Sequence, residues 1–196
     1  MVRIAITGQS GSGKGYVCSL LEKQGILSLD CDAVVHRIYA SDAFALRLSG
    51  VLSRDVRHPA GGVDRRLLAP IVFGDAEMMK RVQELVYPLV RAECLAFLEE
   101  QERVGAKAAV VDAPQLFEAG FEGDYQLILC VSAPKEERLS RIMKRDGISK
   151  EEALLRMSGQ MSLEDYEKRC HALIKNGAGD CPEKQLREIL ARYGVC

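Results

Sequence analysis

The sequence predicts an α/β fold in which helices cover both faces of a parallel sheet. Three observations lead to it: apolar runs of strand length, helical patterns between them, and a glycine-rich loop after the first run. Strands that are continuously apolar, rather than alternating, are typical of a parallel sheet buried between helical layers. The length of 196 residues suits one domain, or one core with an insertion.

Short runs rich in valine, isoleucine and leucine are predicted to be the strands. They are residues 2–7, 26–29, 108–111, 127–131 and 172–174. Helical patterns occupy residues 14–24, 75–103, 135–145, 150–159 and 182–193. Ser149 followed by Glu152 has the spacing of a capping box, which predicts a helix start there. Pro88 is expected to break the long helical stretch or to begin a new helix.

Two segments interrupt the regular order of strands and helices. Residues 33–106 carry helical patterns and no strand candidate, so we predict a helical insertion after the second strand. A charged segment near residues 138–160 is predicted to be a second inserted element.

Composition, charge and apolar run length disfavour several classes of protein. The 27 Lys and Arg against 28 Asp and Glu, a net charge of −1, argue against a polybasic nucleic-acid binder. The longest apolar run, residues 127–131, is far short of the roughly 20 residues that cross a bilayer. Neither part of a signal peptide is recognisable at the start. Seven scattered cysteines without a C-x-x-C pair suit a reduced compartment, so we expect a cytoplasmic protein without a nucleic-acid or membrane partner.

The segment from Gly8 to Lys14 fits the phosphate-binding pattern G-x-x-x-x-G-K, and it lies between a strand and a helix as that pattern requires. Glycines let backbone N–H groups turn towards phosphate oxygens. The helix start adds the positive end of its dipole, and Lys14 places a cation beside the outer phosphates. The loop therefore predicts a nucleotide site.

Gly15 and Tyr16 follow Lys14, where the pattern has a Ser or Thr whose hydroxyl ligates magnesium. Mg²⁺ usually keeps several waters, so a water can fill the vacant coordination position. Alternatively, the loop binds a nucleotide but transfers phosphate poorly.

Acidic residues follow two of the predicted strands. Because ligands of open α/β sheets bind beyond the carboxyl ends of strands, Asp32 is favoured as a proton acceptor or as the holder of a metal-bound water. Asp30 suits that role and the capping of the next helix equally well. Asp112 is a candidate for orienting magnesium or its waters, and Glu118 is either part of an acceptor pocket or a solvated loop residue.

Two groups of arginines are candidates for binding anions. Arg138, Arg141 and Arg145 are three and four residues apart and share a helix face. Such a row forms surface ion pairs or, in a phosphotransferase, closes over the phosphates. Arg65 and Arg66 form a second basic site, in the helical insertion, that suits an anionic acceptor. The three histidines have no metal-ligand spacing and are interpreted as structural or surface residues: His36, His58 and His171.

The order of these motifs resembles the dephospho-CoA kinase family over about residues 2–190. The matching residues are Thr7-Gly8, Gly11 to Lys14, Asp30-x-Asp32 with His36, Asp64-Arg65-x-x-Leu68, Val72-Phe73, Tyr87-Pro88, Asp112-x-Pro114-x-Leu116-Phe117-Glu118, Arg141, Arg145, Gln160 and Asn176-Gly177. Tyr87 departs from the family, which more often has His there. The family's loop normally ends in Ser-Thr, so Gly15-Tyr16 departs as well.

The resemblance implies a kinase that uses ATP with Mg²⁺ to phosphorylate the ribose 3′-hydroxyl of dephospho-CoA, the last step of coenzyme A synthesis. It implies a three-layer P-loop kinase-type core with a five-stranded parallel sheet, a helical acceptor region and a lid. Residues 1–32, 107–137 and 161–196 would form the nucleotide-binding core, 33–106 the acceptor region and 138–160 the lid.

The resemblance also assigns roles to residues. Asp32 would be the catalytic base, Lys14 would hold the ATP phosphates, and Arg141 would stabilise the transferring group. The implied ATP-binding residues are Gly8, Gly11, Ser12, Gly13, Lys14, Gly15, Tyr16, Arg145 and Asn176. The implied acceptor-binding residues are Asp32, Arg65 and Glu118, and Asp112 would hold the metal through water.

Two alternative functions remain open. One is a nucleotide- or CoA-binding homologue with weak phosphotransfer, which Gly15 motivates. The other is a different small-molecule kinase on the same core. A GTPase is disfavoured, because the sequence has no Asn-Lys-x-Asp guanine-reading motif.

Overall fold

The computed structural model describes residues 1–195 and contains a five-stranded parallel sheet, which confirms the predicted α/β class. The strands are β1 (Val2–Thr7), β2 (Ser28–Asp30), β3 (Ala108–Asp112), β4 (Leu127–Ser132) and β5 (Ala172–Lys175). Their order across the sheet is β2-β3-β1-β4-β5. The second strand begins at Ser28 rather than at residue 26 as predicted.

Helices occupy most of the connections between the strands. They are α1 (Lys14–Glu22), α2 (Cys31–Tyr39), α3 (Asp42–Leu52), α4 (Arg65–Val72), α5 (Ala76–Arg103), α6 (Lys135–Asp146), α7 (Lys150–Ser158), α8 (Leu163–Arg169) and α9 (Pro182–Arg192). A short 3₁₀ turn covers Glu122–Asp124. The predicted capping box at the start of α7 is confirmed: Ser149 Oγ accepts from Glu152 N–H, and the Glu152 carboxylate accepts from Ser149 N–H.

The expectation that Pro88 breaks the long helix is wrong. Helix α5 continues through Pro88, although a proline inside a helix lacks the N–H that would bond the preceding turn. The side chains of Val82, Leu85, Val86 and Val90 are buried on both sides of the proline. Tertiary burial of this apolar stripe offsets the lost hydrogen bond, because most of the stability of an amphipathic helix comes from the packing of its apolar face.

Two compact units make up the chain, and each has its own interior. The first unit comprises Met1–Leu29 with the described chain from Leu98 onward, and the second comprises Asp30–Phe97. Within residues 1–195 no helix is long and apolar enough to cross a membrane.

The core of the first unit is formed by the sheet and the helices that pack on it. Every residue of β4 is buried, which explains why that strand reads as an unbroken apolar run. Alternate residues such as Ile4, Ile6 and Leu129 face a cluster that includes Val17 of α1 and Leu186 of α9. The sheet is therefore covered by helices that also position the loop after β1.

The register brings the carboxyl ends of the central strands to one edge of the sheet. Ile6 lies opposite Asp112 of β3, and Thr7 lies opposite Cys130 of β4. The loop after β1, the acid at the end of β3 and the chain after β4 therefore begin at the same edge, where ligands of such sheets bind.

The second unit is helical, as predicted for most of the insertion. Its buried apolar side chains include Val34, Phe44, Leu48 and Leu68. Helices α2, α3 and α4 begin at residues whose side-chain oxygens accept backbone N–H groups of the first turn: Asp30, Ser41 and Asp64. These caps satisfy helix-start N–H groups, a role for which Asp and Ser are well suited.

Candidate active site

The predicted phosphate-binding loop connects β1 to α1 in the conformation that its glycines allow. Gly8 and Gly13 have φ angles of 137° and 95°, a region that residues with a side chain rarely adopt. A Cβ atom at Gly8 would overlap the carbonyl oxygen of Val131, and one at Gly13 would overlap the amide of Asn176. Both positions therefore need glycine for backbone angle and for space.

Backbone N–H groups of the loop form an open cradle for an anion. Within the loop, Ser12 N–H donates to Gln9 O at 3.1 Å. Among residues 1–195, no hydrogen bond is made by four neighbouring N–H groups, those of Gly11, Gly13, Lys14 and Gly15. Unpaired N–H groups at a helix start, together with the helix dipole, favour phosphate oxygens.

Lys14 and Arg141 bring positive charge to this cradle. The Lys14 ammonium donates to Gly8 O at 3.0 Å, so it lies against the loop. Arg141 of α6 donates from Nη1 to Gly11 O and Ser12 O, at 3.3 and 3.2 Å. Two cations therefore meet the loop from different elements, an arrangement that can neutralise a polyphosphate.

The Arg141 guanidinium is held in place by two further groups. Its Nη2 donates to the Glu137 carboxylate at 2.9 Å and to Asn176 O at 2.8 Å. Asn176 in turn donates from Nδ2 to Ser12 O at 2.8 Å. The loop, the predicted ATP residue Asn176 and the predicted catalytic Arg141 are thus joined in one network.

The other two arginines of the predicted row have different surroundings. Arg138 is 5% exposed, and burial lowers the pKa of its guanidinium. It donates to the side chain of Gln9. Arg145 is exposed and pairs with Asp146 at 2.7 and 2.9 Å. The shared helix face of the sequence pattern therefore has one buried, one loop-bound and one surface arginine.

Tyr16 and Glu118 are further predicted site residues of the first unit. Tyr16 is exposed on α1, and its hydroxyl donates to the Glu183 carboxylate of α9, which raises the pKa of Tyr16. Glu118 is exposed in the chain that follows β3. Within residues 1–195 neither side chain hydrogen-bonds to the loop, and both roles stay predictions.

Asp112 is the predicted magnesium residue. It ends β3, beside the strand that leads into the loop, and its side chain is half-buried with the Cys18 thiol 3.9 Å from Oδ2. Within residues 1–195 there is no group of three or more His, Cys, Asp or Glu side chains that could hold a metal. A single carboxylate fits Mg²⁺ held mainly by water and phosphate oxygens rather than by a protein cage.

The predicted acceptor residues Asp32 and Arg65 belong to the second unit. Asp32 lies exposed in the first turn of α2, one turn before His36 on the same helix face. Arg65 begins α4 and approaches His36, with Nη1 and Nε2 3.1 Å apart. Its guanidinium also lies 5.5 Å from the centre of the Tyr39 ring.

The alternative interpretation of Asp30, as a helix cap, is the one that the structure shows. Its Oδ1 accepts the N–H of Asp32 at 2.8 Å and so starts α2. The two acids of the Asp30-x-Asp32 motif therefore differ: the Asp30 carboxylate caps the start of the helix, whereas the Asp32 carboxylate, which is also exposed, is not used for the cap.

Two glutamines make contacts at the loop that the sequence does not predict. They are Gln9 and Gln160. Gln160 was part of the family pattern without a role, and Gln9 occupies a variable position of the loop motif. Their partners are up to 152 residues away in the chain, so no local pattern could indicate the contacts.

Comparison with known proteins agrees with this geometry. A family model described as dephospho-CoA kinase matches residues 2–180. A dephospho-CoA kinase of Thermus thermophilus is 39% identical over 189 residues, which cover 96% of this chain and 90% of the relative.

Two solved structures extend the similarity to three dimensions. A Thermus thermophilus protein gives a TM-score of 0.82 at 36% identity, with 97% of each chain covered. Dephospho-CoA kinase from Campylobacter jejuni gives 0.71 at 27% identity, with 97% of this chain and 96% of that chain covered. Since the sequence and structural matches span nearly the whole chain, the chain belongs to the dephospho-CoA kinase family.

Proposed function

We propose that the chain transfers the γ-phosphoryl group of ATP to the 3′-hydroxyl of the ribose of dephospho-CoA, giving CoA and ADP. The observation that carries this proposal is the set of open N–H groups of Gly11, Gly13, Lys14 and Gly15, flanked by the cations of Lys14 and Arg141. Such an arrangement binds a polyphosphate and stabilises the charge that develops during transfer.

On the ATP side, the loop N–H groups and Lys14 would bind the phosphates. Arg141 would exchange its contacts with Gly11 O and Ser12 O for oxygens of the transferring group. Glu137 and Asn176 would keep the guanidinium oriented while it does so. Gly8, Ser12 and Gly13 shape the loop, and Tyr16 and Arg145 are proposed as peripheral ATP contacts.

On the acceptor side, Asp32 would accept the proton of the ribose 3′-hydroxyl. The freed oxygen forms a bond to the γ-phosphorus while the bond to the β-phosphate oxygen breaks and ADP leaves. An exposed carboxylate on a capped helix start suits this role, because its lone pairs are not used for the cap. Arg65 and Glu118 are proposed to contact the acceptor.

Magnesium is proposed to accompany ATP, with Asp112 orienting its waters. The bound ion would neutralise phosphate charge. Gly15 supplies no hydroxyl, yet nothing lies within 4 Å of the place where its Cβ would be. The position has room for a water or for an added side chain.

The division of labour along the chain is also a proposal. Residues 1–32, 107–137 and 161–196 would form the nucleotide-binding core, 33–106 the acceptor region and 138–160 the lid. In the lid segment, Ile142, Ala153 and Met157 form a small apolar cluster of their own, which supports treating it as an element. The scattered cysteines support a cytoplasmic location.

The proposed reaction is tested by ADP release with ATP, Mg²⁺ and dephospho-CoA, compared with adenylates and nucleosides as acceptors. Among these acceptors, we expect only dephospho-CoA to support ADP release. The product should carry the new phosphate on the 3′-oxygen. Binding of both ligands without turnover would favour a homologue with weak transfer, as Gly15 suggests. Turnover with another acceptor only would contradict the proposal.

Gly15→Ser tests whether the missing hydroxyl matters for magnesium. Since the site has room for the side chain, we expect a folded variant that reaches half-maximal activity at a lower magnesium concentration. The measurement is a magnesium titration at saturating ATP, with Gly15→Ala as the control that adds a Cβ and no hydroxyl. An unchanged requirement in both variants would mean that water already completes the metal shell.

A further inference from the structure

Residues 9–11 of the phosphate-binding loop are held by residues at the two ends of the segment 138–160. We infer that Gln160 is a positioning residue for the phosphate-binding loop, acting through the backbone of Ser10. This inference rests on the proposed function of the loop as the ATP site.

The first contact joins Gln160 to the loop directly. Its Oε1 accepts the N–H of Ser10 at 3.0 Å, across 150 residues of sequence. Gln160 is half-buried and follows the end of α7. A half-buried amide oxygen that accepts a loop N–H favours one direction of that peptide plane, because leaving the N–H unpaired would be unfavourable.

A second contact joins the chain neighbours of Ser10 and Gln160. Gln9 Nε2 donates to Met161 O at 2.9 Å, across 152 residues. The two neighbouring loop residues therefore bond to two neighbouring residues after α7, in opposite donor–acceptor directions. Such a pair restricts both translation and rotation of the loop backbone.

The other end of the segment reaches the same loop residues. Arg138, which is 5% exposed, donates to the Gln9 side chain. A Cβ atom placed on Gly11 would lie 2.6 Å from the carbonyl oxygen of Arg138, so the α6 backbone packs directly on the loop. Gln9, Ser10 and Gly11 are consequently held between residue 138 and residues 160–161.

These contacts act on ATP binding without touching ATP. Ser10 N–H is satisfied by Gln160, and the open N–H groups begin at Gly11. Without Gln160 the loop would sample other orientations when empty, and binding would have to order it. A restraint that acts before and during transfer alike changes KM for ATP and leaves kcat nearly unchanged.

Gln185 provides a matched control within the same unit. Its Oε1 accepts Lys175 N–H at 2.9 Å, and its Nε2 donates to Lys175 O at 3.0 Å. It therefore makes main-chain bonds like those of Gln9 and Gln160, between a helix and a strand instead of at the loop. Removing it tests the effect of losing a bridging glutamine as such.

The experiment compares Gln160→Met, Gln160→Asn and Gln185→Met with the wild type. Methionine keeps the length of the side chain without its amide, and asparagine keeps the amide on a shorter side chain. Both substitutions remove the bond to Ser10, so the test needs only one of the two variants to fold. ADP affinity is measured by calorimetry, KM and kcat by steady-state assay, and folding by thermal melting. We expect about a fivefold to tenfold weaker ADP affinity and higher KM for ATP in the Gln160 variants, as for one lost hydrogen bond.

The expected pattern includes three quantities that stay near the wild-type value. These are kcat and KM for dephospho-CoA in the Gln160 variants, and ADP affinity in Gln185→Met, even if its melting temperature falls. Wild-type ADP affinity in a folded Gln160 variant would overturn the inference. Equal weakening in Gln185→Met would overturn it too, because the effect would then be general destabilisation.

Failure of the proposed function gives a different result. If the wild type binds ADP but does not phosphorylate dephospho-CoA, the reaction is wrong while the ADP comparison still decides the role of Gln160. If the wild type does not bind ADP, the loop is not a nucleotide site and the inference is wrong as well.

Discussion

Two glycines at the start of α1 read alike in the sequence and differ in the structure. Gly13 has φ of 95° and no room for a Cβ, whereas Gly15 lies inside the helix with open space around it. We expect Gly13→Ala to abolish ADP binding measured by calorimetry, because it strains the loop and displaces Asn176. Gly15→Ala should instead raise the free energy of unfolding, by up to about 1 kcal/mol. Normal binding by Gly13→Ala would contradict the geometry.

The exposed carboxylate of Asp32 leads to a prediction about the chemical step. Asp32→Asn keeps the size of the side chain and removes its ability to accept a proton. We expect kcat to fall by at least about a hundredfold, the usual contribution of a general base, while ADP affinity stays unchanged. Single-turnover kinetics at saturating substrate concentrations measure the rate of the phosphoryl-transfer step. An unchanged kcat would remove Asp32 as the base.

Among the helices, α2 shows how a cap and a functional residue share one short motif. Asp30 accepts the N–H of Asp32, so Asp30→Ala should lower the free energy of unfolding by about 1 kcal/mol. Asp30→Asn, which keeps a capping oxygen, should retain both stability and kcat. Urea denaturation and steady-state kinetics test this. A loss of kcat in Asp30→Asn like that of Asp32→Asn would give both acids a role in the reaction.

The elements differ in how far their boundaries could be predicted. Helix α7 was predicted well because a capping box and an apolar pattern coincide at its start. The predicted helix break at Pro88 is wrong because the burial of the apolar side chains of α5 outweighs the local effect of proline. The caps of α3 and α4, Ser41 and Asp64, lie in the insertion, where helical patterns follow one another without a strand, so the sequence does not separate these two helices.

For the stability of the whole chain, Tyr166 predicts a pH dependence. The ring packs 5.8 Å from Phe117 and is 2% exposed, and burial raises the pKa of Tyr166 to about 12 from 10.0. The folded state therefore keeps a proton that the unfolded state releases above pH 10. Stability from this group is complete below pH 10 and falls between pH 10 and 12, by up to about 3 kcal/mol.

Tyr166→Phe measures that contribution. It keeps the ring against Phe117 and removes the ionisable hydroxyl, so its unfolding free energy should decline less steeply than that of the wild type above pH 10. Chemical denaturation of both proteins at pH 8, 10 and 11 makes the comparison. Parallel curves would mean that the hydroxyl ionises as readily in the folded state as in the unfolded state.

The sequence by itself determined the fold class, the loop and the family, because apolar periodicity, glycine spacing and motif order are local properties of the chain. It also suggested Arg141 and Asn176, whose contacts with the loop only the structure displays. Only the tertiary structure decided that Arg138 is buried and that Gln160 holds Ser10. The physical reason is that burial and a long-range hydrogen bond depend on which distant segments meet. Ser10 and Gln160 are 150 residues apart in the chain, and they meet only in the folded protein.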